Sequence, residues 1–391
     1  MRLVVDYRPA LRARTGVGEW IHNLVRSALD VSAAPGSQTR GLDLHLFVSS
    51  WKDRPSPEAR AELAGARFID RRIPVRALTW AWNRLGWPSV DLLAGGATFD
   101  VAFSPTPLQL PTRASVRVVT LHDFDFLDHP ERTWGEMKRD FPALIRQSVA
   151  SADLVVTISH FTAREAVRRL SLPEDRLVVV RPGVPAWIPK VGQSHFSPAE
   201  SGTVPLSRRY ILFVGTLEPR KNVLGLIDAY RRLVQQMPDA PRLVLAGGVP
   251  PMAAEAIARA LASPIGSRID ALGYLQPGER MSVYSGASML VLPSYMEGFG
   301  IPVLEAMALG VPVVTTTQGA LPEVGGDAVL YAEPDDHDGL AAAMRRILIE
   351  PELAATLRER GLAQSRQFDW HAGAAGMLAR FSTAVAATRS S

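Results

Sequence analysis

"SMLVLPSYMEGFGIPVLEAMALGVPVVTTT", Ser288 to Thr317, contains a strand, a loop, a helix and a second strand in one short run. "SMLVLPS" and "VPVVTTT" are brief apolar runs rich in β-branched residues, the pattern of strands buried on both faces of a parallel sheet. Between them, Pro302 suits the first helical turn, because its missing N–H would be an orphan there anyway. Gly310 followed by Pro312 stops the helix, so the spacing predicts a helix from about Ile301 to Leu309. A strand–helix–strand crossover of this kind belongs to an α/β layer fold.

The same alternation runs outward. "RYILFVGTL", "RLVLAGG" and "IDALGYL" read as further buried strands, each followed by a helical or turn segment. Nearer the amino terminus, "RLVVDY", "LHLFVSS", "VRVVTLHD", "DLVVTIS" and "RLVVVRPG" form a second series, separated by helical stretches such as Gly18 to Leu29 and Phe161 to Leu170. From Ala186 to Arg208 the pattern collapses into a stretch rich in Pro, Ser and Gly, which is linker chemistry. The expected organisation is a doubly wound domain over residues 1–186, a linker over 187–208 and a second doubly wound domain over 209–367. Residues 368–391 read as an amphipathic helix that offers Phe368, Trp370, Met377, Leu378 and Phe381 for packing and is expected to return to the first domain.

Composition agrees with two globular domains. At 391 residues the chain is too long for one ordinary core, and 47% hydrophobic with 21% charged residues describes a globular protein. No apolar run reaches the length of about 18 residues that a membrane span needs. Cysteine is absent, which removes disulfides, thiolate metal sites and thiol catalysis together. The opening "MRLVVDYRPA" breaks into charge at Asp6 and Arg8, a strand pattern without the apolar stretch of a signal peptide, so the cytoplasm is the expected compartment. A net charge of +4, from 43 basic against 39 acidic residues, suits anionic partners and makes no case for nucleic acid.

The loop before the helix carries the chemistry. In Glu297-Gly298-Phe299-Gly300 the glycines allow close backbone approach of a ligand, and a helix amino terminus offers N–H donors to an anion. Glu305 lies only about 5 Å along the axis from Pro302, so its carboxylate reaches the same ligand from the side.

These residues carry a resemblance. Glu297 and Glu305, with seven residues between them in "EGFGIPVLEAMALGVPVV", together with "FVGTLEPRKN", resemble the retaining glycosyltransferases of family GT4. That family has the GT-B fold, two Rossmann-like domains facing each other across a cleft. "RTGVGEWIHNL", "LHDFDFLDHPE" and "SADLVVTISHFTAREAV" match further family segments, in order over nearly the whole chain. The resemblance implies transfer of a hexose from a nucleotide sugar to a glycan or lipid-linked acceptor in polysaccharide or glycoconjugate assembly, with retention at the anomeric carbon and without metal or other cofactor. The subgroup with "VGTLEPRKN" and "LHDFDFLDHPE" is most similar to mannosyltransferases that use GDP-mannose, while the spacing itself does not separate guanine from uracil, so a UDP-sugar stays as the other donor. The first domain would then be the acceptor side and the second the nucleotide-sugar side.

By the same resemblance, Glu297 meets the donor sugar near the reacting carbon and Glu305 holds the nucleotide ribose hydroxyls. The backbone at Gly298, Phe299, Gly300 and Ile301 meets sugar hydroxyls and phosphate. Lys221 matches the diphosphate-binding lysine. Arg220 would be the second cation, because this chain has Thr216 after Gly215 where the family often has arginine. His122 matches the active-site histidine, Gly16 and Gly18 the glycine loop that closes on donor phosphate and acceptor, and Tyr274 with Leu275 the segment lying against the base.

Other readings compete with these. Lys221 and Arg220 could be surface charges at a helix start, although cations there oppose the helix dipole. His122 could be a hydrogen-bonded core histidine, Gly16 a simple turn, and Asp123 with Asp125 a metal-binding Asp-x-Asp pair of the other large glycosyltransferase fold. Between Arg71 and Pro88, Trp80, Trp82 and Trp87 stand among arginines. Either they enter the core, or the segment lies on an anionic membrane, at its inner face, or grips a lipid-linked acceptor. Two whole-protein alternatives share the fold: a nucleotide-sugar 2-epimerase, and a non-catalytic subunit that binds a nucleotide sugar beside a second glycosyltransferase.

Overall fold

The computed structural model describes residues 1–390 except 12–15, 37–38, 130–140, 190–208 and 277. Most of the expected linker therefore lies outside the described residues. The chain divides into two units, Met1–Gly183 with Asp369–Ser391, and Val184–Phe368.

The first unit is built on a seven-stranded sheet. Its strands are β1 (Arg2–Asp6), β2 (Asp43–Phe47), β3 (Arg67–Ile69), β4 (Val101–Ser104), β5 (Val116–Leu121), β6 (Leu154–Thr157) and β7 (Leu177–Val179). They lie in the order β3-β2-β1-β4-β5-β6-β7, and every pairing is parallel. Parallel neighbours need crossovers, which helices such as Gly16–Ala33, Phe141–Ser151 and His160–Leu170 supply. The chain winds outward from β1 to β3, returns to lay β4 beside β1, and winds the other way, so its switch point falls between β1 and β4. The two strands that periodicity does not reveal are β3, three residues at an edge, and β4, four buried residues between Asp100 and Pro105.

The final helix, Trp370–Ser390, packs against the helix Gly16–Ala33 and against β5 and β7. Met377, Leu378 and Phe381 are buried there, and the Phe381 ring meets Phe103 edge-on with centroids 5.7 Å apart.

The second unit holds a six-stranded parallel sheet of β8 (Tyr210–Val214), β9 (Leu243–Ala246), β10 (Ile269–Gly273), β11 (Ala287–Leu292), β12 (Val313–Thr315) and β13 (Leu330–Tyr331). The order β10-β9-β8-β11-β12-β13 places its switch point between β8 and β11. The helix after β11 runs Ile301–Ala308, and Val303, Leu304, Ala306 and Met307 are all buried, which is why the segment reads as apolar on every side except Glu305. Gly310, at φ +67, takes the left-handed conformation just past the helix end that a side chain would resist.

Candidate active site

Ligands of open parallel sheets bind outside the carboxyl ends of the strands at the switch point. In the second unit two loops emerge there. One follows β8 and runs from Gly215 to Asn222; the other follows β11 and runs from Pro293 to Gly300. Both carry the residues singled out from the sequence.

Glu297 is buried, at 6% exposure, and is held from three sides. Lys221 Nζ donates to Oε1 at 2.6 Å, Ser294 Oγ donates to Oε1 at 2.7 Å, and Arg220 Nη1 donates to Oε2 at 3.2 Å. Arg220 also donates to the Met296 carbonyl at 2.6 Å and to Glu218 Oε1 at 2.8 Å. Burial acts to raise the carboxyl pKa of Glu297, but the charges of Lys221 and Arg220 and the bonds from Lys221 and Ser294 outweigh it and bring it down to about 2. The group is a carboxylate throughout the physiological range. It has no proton to donate, and so low a pKa makes it a poor base.

Backbone geometry fixes this cluster. Gly215, at φ +145, leaves room for the lysine stem: a Cβ there would stand 2.9 Å from Lys221 Cδ. Gly319, at φ +65, sits against the glutamate's own backbone, where a Cβ would come within 2.4 Å of the Glu297 carbonyl oxygen. The next amide, Ala320 N–H, donates to that carbonyl at 2.9 Å. Lys221 and Arg220 lie in a 3-10 turn, Pro219–Lys221, that precedes the helix Val223–Gln236. They are neither loose surface charges nor unpaired cations awaiting a ligand, since Glu297 and Glu218 already neutralise them.

Glu305 is buried one turn into its helix, and Tyr284 Oη donates to its Oε2 at 2.5 Å, with Arg280 Nη1 4.0 Å from Oε1. Burial first, and then this carboxylate, push the Tyr284 phenol well above its ordinary pKa, so it serves as a donor. The helix amino terminus is less open than a generic one. Gly300, at φ +106, accepts from Val303 N–H and Leu304 N–H, and Pro302 has no N–H, which leaves the Ile301 amide at the tip. Phe299 turns its side chain inward, edge-on to Phe368 at 5.6 Å, so only its backbone faces the loop. Thr216 is exposed on the β8 loop. Tyr274, 36% exposed, and buried Leu275 follow the edge strand β10 at the same carboxyl end of the sheet.

In the first unit His122 follows β5. Its Nε2–H donates to the Pro105 carbonyl at 2.7 Å, which fixes the tautomer and leaves Nδ1 with the lone pair. Burial pushes its pKa down, and the Pro105 bond and the Asp123 charge only partly offset this, so the ring is neutral at pH 7. Trp20 meets the imidazole edge-on at 5.4 Å and brings the helix that begins at Gly16 to its side. Gly18 lies inside that helix, where a Cβ would stand 2.8 Å from the Pro9 carbonyl oxygen; Gly16, at φ +31, has open space around it. Asp125 N–H reaches Asp123 Oδ1 at 3.3 Å, and no group of three His, Asp or Glu side chains converges as a cation cage among the described residues.

Sequence reasoning missed Ser294, Glu218, Tyr284, Arg280 and Gly319. Ser294 was legible as a hydroxyl three residues before Glu297 in one tight loop, and Arg280 with Tyr284 as a pair four residues apart on one helical face. Nothing local marks Gly319, whose demand comes from a chain segment remote in sequence.

The structure thus brings Lys221, Arg220 and Glu297 together at the switch point of a doubly wound unit. The family match bears on this: residues 199–364 match the model described as Glycosyl transferases group 1, and residues 31–186 match Glycosyltransferase Family 4. The chain is 34% identical to O-antigen chain mannosyltransferase B of Escherichia coli over 285 residues, covering 69% of this chain and 71% of that protein. It is 30% identical to the serotype-specific mannosyltransferase WbdA of Escherichia coli over 258 residues, 65% of this chain but only 32% of that longer protein. Among solved structures, sucrose-phosphate synthase from Thermosynechococcus elongatus superposes with a TM-score of 0.73 at 19% identity, covering 99% of both chains. Anabaena HepE, crystallised with UDP and glucose, superposes with a TM-score of 0.65 at 16% identity over 98% of this chain and 99% of its own. The chain belongs to glycosyltransferase family 4 and has the GT-B fold.

Proposed function

We propose that this glycosyltransferase moves mannose from GDP-mannose to a glycan or lipid-linked acceptor, with retention at the anomeric carbon and without a divalent metal. The observation that carries the reading is the Lys221–Glu297–Arg220 cluster at the switch point of the second unit. Similarity to a mannosyltransferase supports the sugar. A structure of the same fold crystallised with UDP supports a nucleotide diphosphate and keeps a UDP-sugar as the second reading.

The transferred hexose leaves behind a nucleoside diphosphate whose charge grows in the transition state. Lys221 and Arg220 are shared with Glu297 in the resting site, and they can turn part of that interaction to the departing phosphate as it develops charge. Glu297 is assigned to holding these cations and the sugar, not to nucleophilic attack, because Lys221, Ser294 and Arg220 take three of its roughly four acceptor sites and a pKa of about 2 makes it a weak nucleophile. Glu305 and Tyr284 are assigned to the ribose, Tyr274 and Leu275 to the base, Thr216 and the Gly298–Ile301 backbone to phosphate and sugar hydroxyls. His122, neutral with Nδ1 available, is assigned to accepting a hydrogen bond from a sugar hydroxyl. Gly16, with open space around it, is assigned to close backbone approach of the substrates, and Gly18, buried against the Pro9 carbonyl, to packing of the helix that carries Gly16.

The purified chain is to be assayed with radiolabelled GDP-mannose, GDP-fucose, UDP-glucose and UDP-N-acetylglucosamine on lipid-linked and free oligosaccharide acceptors, with and without excess EDTA, and the product anomer read by NMR. Transfer of mannose from GDP-mannose, undiminished by EDTA and giving the α-anomer, is expected. Transfer from a UDP-sugar alone would overturn the donor, a β-product the stereochemistry, and activity restored only by manganese the metal-free reading.

A further inference from the structure

We propose that the helix Val75–Leu85 and the turn that follows it form a docking surface for an anionic lipid bilayer. The sequence left open whether the three tryptophans here are core or surface, and the structure divides them. Trp82 is anchored inward: its Nε1–H donates to the Pro88 carbonyl at 2.8 Å, its ring packs on Phe47 at 5.5 Å, and the Arg8 guanidinium covers it at 4.5 Å. Leu78, on the same side, is buried. With that face locked, Trp80 and Trp87 are held outward at 62% and 61% exposure, and Leu85, the last helical residue, is exposed at the end nearest Trp87. At 100° per residue Arg76, Trp80 and Arg84 fall within about one quarter of the helix circumference, and Trp87 follows the left-handed Gly86 that ends the helix.

Charge along this stretch is basic, and the acid that precedes it, Asp70, is engaged by the Arg72 backbone N–H at 3.1 Å and by Arg54 at 3.3 Å. Arg71, Arg72, Arg76 and Arg84 are all exposed, and no Asp or Glu occurs from Arg71 to Val90. The first acid beyond them, Asp91, is buried and accepts from the Arg113 amide at 2.8 Å, so it faces inward. Trp87 also walls a polar cavity of about 490 Å³, shared with Asn83, Gln109, Arg113, Arg117 and Ser148. Gln109 Nε2 is buried there without an acceptor, a donor placed for a phosphate or glycerol oxygen.

Indole rings favour the headgroup region of a bilayer, and guanidinium groups favour its phosphates. Exposed Leu85, at the helix end two residues before Trp87, adds apolar burial in an interface, whereas it adds nothing to nucleic-acid binding. Neutral sugars would not call for four unopposed arginines. No described helix is long and apolar enough to cross a membrane, so the contact would be peripheral. This inference stands apart from the donor assignment.

The test is sedimentation with sucrose-loaded vesicles of phosphatidylcholine, alone or with one-third phosphatidylglycerol. Wild-type protein is expected in the pellet with the mixed vesicles only. Changing Arg76 and Arg84 together to Gln should cut partitioning by at least about tenfold, and high salt should do the same. Trp80→Ser with Trp87→Ser should cut it comparably. Both double variants alter exposed side chains and should keep the wild-type Tm, which separates lost docking from misfolding. Failure of the wild type to bind mixed vesicles would overturn the proposal, as would unchanged partitioning of the tryptophan variant. Retention of a single-stranded oligonucleotide by the same residues, with vesicles ignored, would replace the membrane by nucleic acid.

Discussion

Glu297 concentrates the chemistry of the site in one carboxylate whose pKa, about 2, is set by two cations and a hydroxyl. Because the folded pKa lies below the ordinary carboxylate value of 4.5, the group adds stability above that value and loses it as pH falls toward 2. The difference corresponds to about 3 kcal/mol, so acid unfolding of the wild type should steepen over this window and Glu297→Gln should flatten it, as read by denaturant midpoints at each pH. The same variant should lower kcat by about tenfold or more while leaving nucleotide affinity nearly unchanged, because it frees Lys221 and Arg220 for phosphate but removes their alignment. A loss of nucleotide affinity without a loss of turnover, measured by calorimetry and steady-state kinetics, would refute that division. Lys221→Ala leaves a buried carboxylate short of its nearest partner. A destabilisation of about 2–4 kcal/mol in urea titration is expected, together with at least tenfold lower turnover. Glu297, Glu305, Arg220 and Lys221 stood out because their spacing sits inside two short motifs, and the structure brings Glu297, Arg220 and Lys221 into contact while Glu305 pairs with Tyr284. The pairing of the cations with Glu297 was not legible, since Lys221 and Glu297 lie 76 positions apart and nothing in the sequence marks their contact.

At the scale of elements, the β11 loop and the start of the helix at Gly16 depend on glycines for different reasons, and the difference is measurable. Gly319→Ala places a methyl group 2.4 Å from the Glu297 carbonyl oxygen at φ +65, so the β11 loop must shift. Gly16→Ala is strained by φ +31 alone, with nothing within 4 Å. The first should abolish most activity and lower stability by about 2 kcal/mol or more, and the second should cost about 1 kcal/mol. Equal effects of the two on Tm and turnover would show that the contact at Gly319 does not govern the loop. The element pattern itself was largely readable. The ten apolar runs correspond to ten strands, and the helix expected at Ile301–Leu309 is observed at Ile301–Ala308. The strands missed are β3, β4 and β13, of three, four and two residues. Strands as short as β7 and β12 were read because valine-rich runs carry them; β3, β4 and β13 lack such a run, so pairing with neighbouring strands rather than local pattern creates them.

Over the whole molecule, the chain leaves the first unit at Gly183 and re-enters it at Asp369, so the last helix completes a core begun hundreds of residues earlier. Val184 N–H donates to Phe368 O beside this double crossing, while Gly183 on the other side has no room for a side chain, since a Cβ would stand 2.4 Å from Trp370 N. Met377, Leu378 and Phe381 are each at most 2% exposed. Burial of such side chains is worth about 1.5–3 kcal/mol each, so the three together approach the total stability of an ordinary domain. Truncation after Phe368 should therefore unfold the first unit or leave it only marginally folded. The second unit, whose sheet and Lys221–Glu297 cluster lie wholly within Val184–Phe368, keeps every side-chain partner described for that cluster. Hydrogen exchange followed by mass spectrometry tests this directly: amides of β5 and β7 should lose protection in the truncated chain, those of β8 and β11 should keep it, and GDP should still slow exchange around Lys221. Protection lost equally in both sheets would mean that the two units fold as one, and protection retained in β5 would mean that the last helix is dispensable to the core it covers.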